Sequence, residues 1–279
     1  MSKQPLPSRF FPNEEIGSIR LLKVLRVRKN GEIWCGADLE KGELRAIKFL
    51  YPELFREDHF RALTRFLQGV YSPAIIKVFR TGTTDNGFPC ILMEYASKGS
   101  LRACLKRRKR LTFAQSVCLM RQMLNALCLL HSYGVVHRDI KPENILIADD
   151  GSLRLIDFGI ARFPEVEEER GKVFGTPRYC APEQTVESAK SDCRSDLYSL
   201  GAVLFEVLSG TPFREEDSFL AAGRKKACPC NFLNEFSTPQ LTALIAELLE
   251  FSPAVRPDSP LEVLERLDAM GLPEAALTD

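Results

Sequence analysis

The spacing of apolar positions changes character near residue 95. Before it, short β-rich runs at Ile19–Leu25, Glu32–Ala37 and Leu44–Leu50 are separated by the turn signals Lys29-Asn30-Gly31 and Glu40-Lys41-Gly42, which predicts three antiparallel strands. A helix is expected over residues 56–70, followed by two strands, Ile75–Thr81 and Pro89–Tyr95, across the turn Asp85-Asn86-Gly87. After it the period becomes helical. Thr112-Phe113-Ala114-Gln115 reads as a capping box opening a helix whose apolar face is Val117, Met120, Leu124, Leu127 and Leu130. Asp196–Leu208 is almost wholly apolar beyond its first turn, as a central buried helix should be. Thr238–Glu250 and Pro260–Met270 complete the set, the last with proline in its first turn after Ser259. The expected fold class is α+β and bilobal. A mobile N-terminal arm (1–18) precedes a small five-stranded antiparallel lobe with one helix (19–94), a hinge (95–99) and a larger, mainly helical lobe (100–279).

Composition narrows the partners. The 279 residues suffice for two cores, and 38 basic against 37 acidic residues leave no footprint for nucleic acid or a membrane surface. No apolar run is expected to span a bilayer, which takes about 20 residues, and Met1-Ser2-Lys3-Gln4-Pro5 lacks the apolar core of a signal peptide. The expected setting is cytoplasmic. Nine cysteines, mostly in apolar contexts such as Cys90, Cys118 and Cys128, read as reduced buried thiols. The close pair Cys228-Pro229-Cys230 has no second pair to complete a metal site.

The chemistry is concentrated in Val136-His137-Arg138-Asp139-Ile140-Lys141-Pro142-Glu143-Asn144-Ile145-Leu146-Ile147 and in Leu155-Ile156-Asp157-Phe158-Gly159. Buried apolar runs hold a charged turn, so Asp139, Lys141, Asn144 and Asp157 converge, with the groups needed to hold a cation, steady a phosphate and take a hydroxyl proton. These segments resemble the H-R-D-x-x-x-x-N catalytic loop and the D-F-G loop of the serine/threonine protein kinase family. The resemblance covers about residues 19–270, and Ala46-Ile47-Lys48, Gly175-Thr176-Pro177-Arg178-Tyr179, Ala181-Pro182-Glu183, Asp196 and Arg256-Pro257 extend it in the family's order. It implies an enzyme using ATP and Mg²⁺ on a protein substrate with a Ser or Thr acceptor. Asp139 is then the proton acceptor, with Lys141 and Thr176 beside it, and Asn144 and Asp157 are the metal ligands. Lys48 contacts the inner phosphates and Gly31 belongs to the phosphate loop. Leu25, Ile33, Ala46, Met93 and Leu146 enclose the adenine, with backbone groups of Glu94 and Ala96 on the base edge. His131 and His137 are expected to anchor the loop by packing, and Glu183 and Arg256 to form a structural ion pair.

Three departures matter. Two of the family's phosphate-loop glycines are Arg26 and Arg28, whose guanidinium groups either bind phosphate in place of backbone amides or face solvent. The position of the helix glutamate that pairs with the lysine falls at Leu63, with Glu57 and Asp58 one to two turns earlier. Glu165, Glu167, Glu168 and Glu169 stand where an activation phosphosite is usual, and are either a solvated acidic run or a source of a carboxylate that faces Arg138 in place of a phosphate. The run Lys106-Arg107-Arg108-Lys109-Arg110 is either a solvated helix end or a seat for an acidic partner. A second reading stands beside the kinase one: a pseudokinase-like nucleotide-binding or scaffold protein with little phosphoryl transfer.

Overall fold

The computed structural model describes residues 7–167, 175–185, 191–211 and 233–277. The chain forms two compact units, Met1–Ser72 with Ile76–Ala96 and Pro73–Ile75 with Ser97–Asp279.

The first unit is an antiparallel sheet of β1 (Glu15–Ile16), β2 (Ile19–Arg28), β3 (Gly31–Asp38), β4 (Glu43–Leu50), β5 (Val78–Thr83) and β6 (Pro89–Glu94), in the order β1-β2-β3-β4-β6-β5, with one helix, α1 (Glu57–Gly69). Five of these strands are the expected ones. The sixth, β1, is two residues long, too short to carry a period; Gly17, at φ 59°, turns the chain so that Ile16 pairs with Ile19. β5 starts at Val78 rather than Ile75, because Ile75 bridges to Leu155 and belongs to the second unit. The β2–β3 hairpin closes on Lys29-Asn30, with Arg28 opposite Gly31. Gly31 has φ 154°, and a Cβ there would lie 2.1 Å from the Phe49 carbonyl oxygen, so no side chain fits.

Cross-strand partners share a face of a sheet. Trp34, Ile47 and Leu92 form one such row, and with Ile19, Leu21 and Phe49 they build an apolar cluster. Phe10 completes it, stacked on Phe49 at 3.9 Å between centroids and edge-on to Phe88 at 5.1 Å. The expected mobile arm is therefore structured from Ser8 onward. What holds it is an acid in the core: Glu32, 1% exposed, accepts from the Ser8 hydroxyl, the Arg9 amide (3.0 Å), Trp34 Nε1 (2.9 Å) and the Tyr51 hydroxyl (3.2 Å). A buried carboxylate without such donors would be strongly destabilising. Arg9 also lies over the Tyr51 ring and pairs with Glu53.

The second unit carries α2 (Leu101–Arg108), α3 (Phe113–Ser132), the hairpin β7 (Ile145–Ile147) with β8 (Leu153–Leu155), α4 (Cys193–Ser209), α5 (Pro239–Leu248) and α6 (Pro260–Ala269). The capping box of α3 forms: Thr112 Oγ1 accepts from the Gln115 amide and Gln115 Oε1 from the Thr112 amide, both at 3.2 Å. By length and composition α3 could cross a membrane, contrary to the expectation from sequence, yet 56% of its most apolar window is buried inside the fold, where it packs on α4 and α6. Every residue of α4 from Ser195 to Leu208 is buried. Gly201 lets α5 approach, since a Cβ there would stand 2.9 Å from Leu248 Cβ.

Truncating Phe10 to alanine leaves a void against Phe49 and Phe88, and such substitutions cost about 3 to 5 kcal/mol. Urea unfolding of Phe10→Ala is expected to show a loss of that order; an unchanged midpoint would mean that the arm contributes nothing to the sheet.

Candidate active site

The loop bearing Asp139 is hung from α4. Asp196, in the first turn of that helix and fully buried, accepts from the amides of His137 (2.9 Å) and Arg138 (2.8 Å) and pairs with His131 Nε2 at 2.9 Å. Burial pushes the Asp196 carboxyl up, but His131 and the amide donors outweigh it and hold it below the usual carboxylate value. Arg138 is drawn into a left-handed conformation, φ 67°. His137 Nε2 lies 3.0 Å from the Ile156 carbonyl and Nδ1 accepts from the Asp139 amide at 3.2 Å. Both ring nitrogens are thus engaged, and His137 brackets the loop against Ile156.

Below that bracket four of the expected residues meet. Lys141 Nζ is 2.5 Å from Asp139 Oδ2 and 2.6 Å from Thr176 Oγ1, and the Thr176 hydroxyl donates to Asp139 Oδ1 at 2.8 Å. Asn144 Nδ2 donates to Asp139 Oδ2 at 2.8 Å and to the Asp139 carbonyl at 2.9 Å. That leaves Asn144 Oδ1 buried with no hydrogen-bond partner among the described residues. An amide oxygen stripped of water and aimed away from its donors suits a hard cation. Asp157 is tied to the same loop, because the amide of its neighbour Ile156 donates to the Asn144 carbonyl at 2.9 Å, and Asp157 too is left-handed at φ 67°. Such conformations cost of order 1 to 3 kcal/mol each and persist where surrounding contacts impose them. His131, His137 and the Glu183–Arg256 pair (2.7 Å) all serve as anchors.

Of the expected nucleotide residues of the first unit, Ile33, Ala46, Lys48 and Met93 share one face of the sheet. Ala46 pairs with Met93, and Arg26, Ile33, Lys48 and Ile91 form a continuous cross-strand row. A register shift between Val24 and Arg26 places Leu25 at a bulge in β2. The Glu94 amide is committed to the Lys77 carbonyl at 2.9 Å. Ala96 ends the first unit, and Leu146 lies on β7 of the second. Gly31 owes its identity to the Phe49 carbonyl. Leu63 is buried on α1, while Glu57 pairs with Arg61 and Asp58 with Arg56. Glu165 and Glu167 are exposed; Glu168, Glu169, Cys228 and Cys230 lie outside the described residues.

One cluster escaped the sequence reading. Arg102 on α2 reaches Glu143 (2.7 Å), Glu206 (2.5 Å) and the Tyr179 hydroxyl, which donates to Glu206 at 2.5 Å. Burial works against the Arg102 charge, yet Glu206 and Glu143 hold it above the ordinary guanidinium value; burial and Glu206 together push the Tyr179 hydroxyl up. The readable signal was Glu206 itself, an acid in an apolar helix that must find a cation. Removing one member of a buried pair costs about 3 to 5 kcal/mol. Arg102→Ala is expected to lose that much in urea unfolding, and Arg102→Ala with Glu206→Gln to recover part of it; a neutral single substitution would show the network to be ornamental.

Residues 29–266 match the family model for the protein kinase domain. The chain is 32% identical to the serine/threonine-protein kinase pkn2 of Myxococcus xanthus, over 91% of this chain and 32% of that protein. It is 33% identical to PknA of Mycobacterium tuberculosis, over 86% of this chain and 58% of that one, and 31% identical to PknB of Mycolicibacterium smegmatis, over 89% and 42%. The chain thus spans between about a third and somewhat over half of these relatives' lengths.

Proposed function

Since the chain belongs to the protein kinase domain family, we propose that it is a serine/threonine protein kinase, transferring the γ-phosphate of ATP to a hydroxyl of a protein substrate. The observation that carries this reading is the Asp139–Lys141–Thr176–Asn144 cluster with its unpartnered Asn144 Oδ1. The relatives' names point the same way.

In this reading Asp139 takes the proton of the acceptor hydroxyl, so that oxygen becomes the nucleophile as its bond to phosphorus forms. Thr176 and Asn144 hold the carboxylate in place for that task. Lys141, already at 2.5 Å from Asp139, offers its ammonium to the phosphoryl group in transit. Asn144 and Asp157 would hold Mg²⁺. Bound magnesium-ATP supplies the phosphoryl group and neutralises the charge on its phosphates. Lys48 would meet the inner phosphates, and Arg26, on the same sheet face, supplies a guanidinium where the family uses loop amides. Leu25, Ile33, Ala46, Met93 and Leu146 would enclose the adenine, with Glu94 and Ala96 at its edge. A reducing, cytoplasmic setting belongs to this reading.

Radiolabel transfer from ATP to a generic protein substrate, with Asp139→Asn as control, tests the assignment. General-base loss costs about a hundredfold or more. The variant is expected to lose that factor while keeping its thermal stabilisation by magnesium-ATP; equal transfer by both proteins would refute the proposed base, and no transfer by either would favour a binding role. Arg26→Ala is expected to weaken ATP binding about tenfold by calorimetry, the worth of a charged hydrogen bond of about 1.5 kcal/mol. Unchanged affinity would place the arginine outside the phosphate site.

A further inference from the structure

Beside Thr176 the second unit holds a cavity of about 560 Å³ lined by Arg102, Lys106, Glu143, Thr176, Arg178 and Tyr179. It adjoins the proposed base, because the Thr176 hydroxyl in its wall donates to Asp139. The charges in and behind it do not cancel. Arg102 is held between Glu143 and Glu206, with Glu206 only 2% exposed, so the carboxylates that would receive a cationic side chain are already occupied by a guanidinium of this chain. Lys106 and Arg178 remain. Both are exposed, and neither makes a hydrogen bond or ion pair with a described residue. Of the basic run that starts at Lys106, that residue alone lines the cavity, while Arg110 lies over the Phe236 ring at 4.6 Å. Three cations therefore stand against two carboxylates, both already engaged by Arg102, and Lys106 and Arg178 face solvent next to the proposed acceptor site.

From this we infer that the cavity selects acceptor segments carrying a carboxylate or phosphate group close to the acceptor hydroxyl, with Lys106 and Arg178 as the specificity residues. The inference rests on the kinase reading above and names its substrate class. An incoming anion meets two cations with unused donors, and Arg178 offers a planar fork suited to carboxylate or phosphate. An incoming arginine meets acids already paired and two charges of its own sign, which is a repulsive element as effective for selection as the attractive one.

The test is a peptide series with one threonine acceptor in a neutral background and alanine, aspartate, phosphoserine or arginine at each flanking position in turn. Two quantities are read on the full chain: kcat/KM with magnesium-ATP, and peptide affinity by fluorescence anisotropy. At one or more positions aspartate or phosphoserine is expected to raise both by about tenfold over alanine, as charged hydrogen bonds do, and arginine to lower them. A gain with both anions assigns the cavity to carboxylates generally, and a gain with phosphoserine alone to phosphate. Both cations are exposed, so the double variant Lys106→Glu, Arg178→Glu should fold, and it is expected to invert the order in favour of arginine. Equal values for alanine, aspartate and phosphoserine at every position, or a double variant with the wild-type order, overturn the inference while leaving the kinase reading standing. Absence of transfer to every peptide strikes the kinase reading instead, and anisotropy then still decides the preference for anions.

Discussion

A single carboxylate that water cannot reach dictates how the loop bearing Asp139 is held in the second unit. Asp196 enters the core because the helix that carries it is apolar almost throughout, and once there it must be satisfied by donors. The donors it takes are two consecutive backbone amides, at His137 and Arg138, and a ring nitrogen of His131. Consecutive amides can point at one acceptor only if the chain bends sharply, and Arg138 is left-handed for that reason. The bend presents Asp139 on the far side, where Lys141, Thr176 and Asn144 close around it. The order of causation runs from an apolar helix to a buried anion to a strained loop to a poised carboxylate.

The same helix uses polar side chains again to fix the segment that carries Thr176. Ser195 donates to Glu183 at 2.7 Å, and Arg256 grips both oxygens of Glu183 while bonding the carbonyls of Arg194, Glu250 and Phe251. Nearer the other end of α4, Glu206 holds Arg102 and Tyr179. Acids at both ends of one buried rod thus register separate pieces of chain against each other. Each charge is paired and hydrogen-bonded, the condition under which buried ions are tolerated at all.

Much of this was legible beforehand, and the exceptions have physical reasons. Short β-rich runs gave the main strands, the Thr112 capping box gave the start of α3, and the close spacing of Asp139, Lys141 and Asn144 gave the meeting of their side chains, because each signal is local. Three features carry no such local signal. β1 is a two-residue strand that exists by pairing with Ile19 and Arg20. α2 hides its buried face, Leu101, Cys104 and Leu105, beneath a run of cations that ends the helix where positive charge is favoured. Phe10 reads as part of a polar arm until Phe49 and Phe88 are brought beneath it.

The burial of that phenylalanine bears on where the domain begins. The family model opens at residue 29, after the last residue of β2. A fragment cut at that point would shed two strands, leave Trp34 and Phe49 without their cover, and strip Glu32 of two of its four donors. Homology marks the stretch that relatives share; the autonomous folding unit reaches back at least to Ser8, and fusion partners or affinity tags attached at that end need a spacer ahead of it.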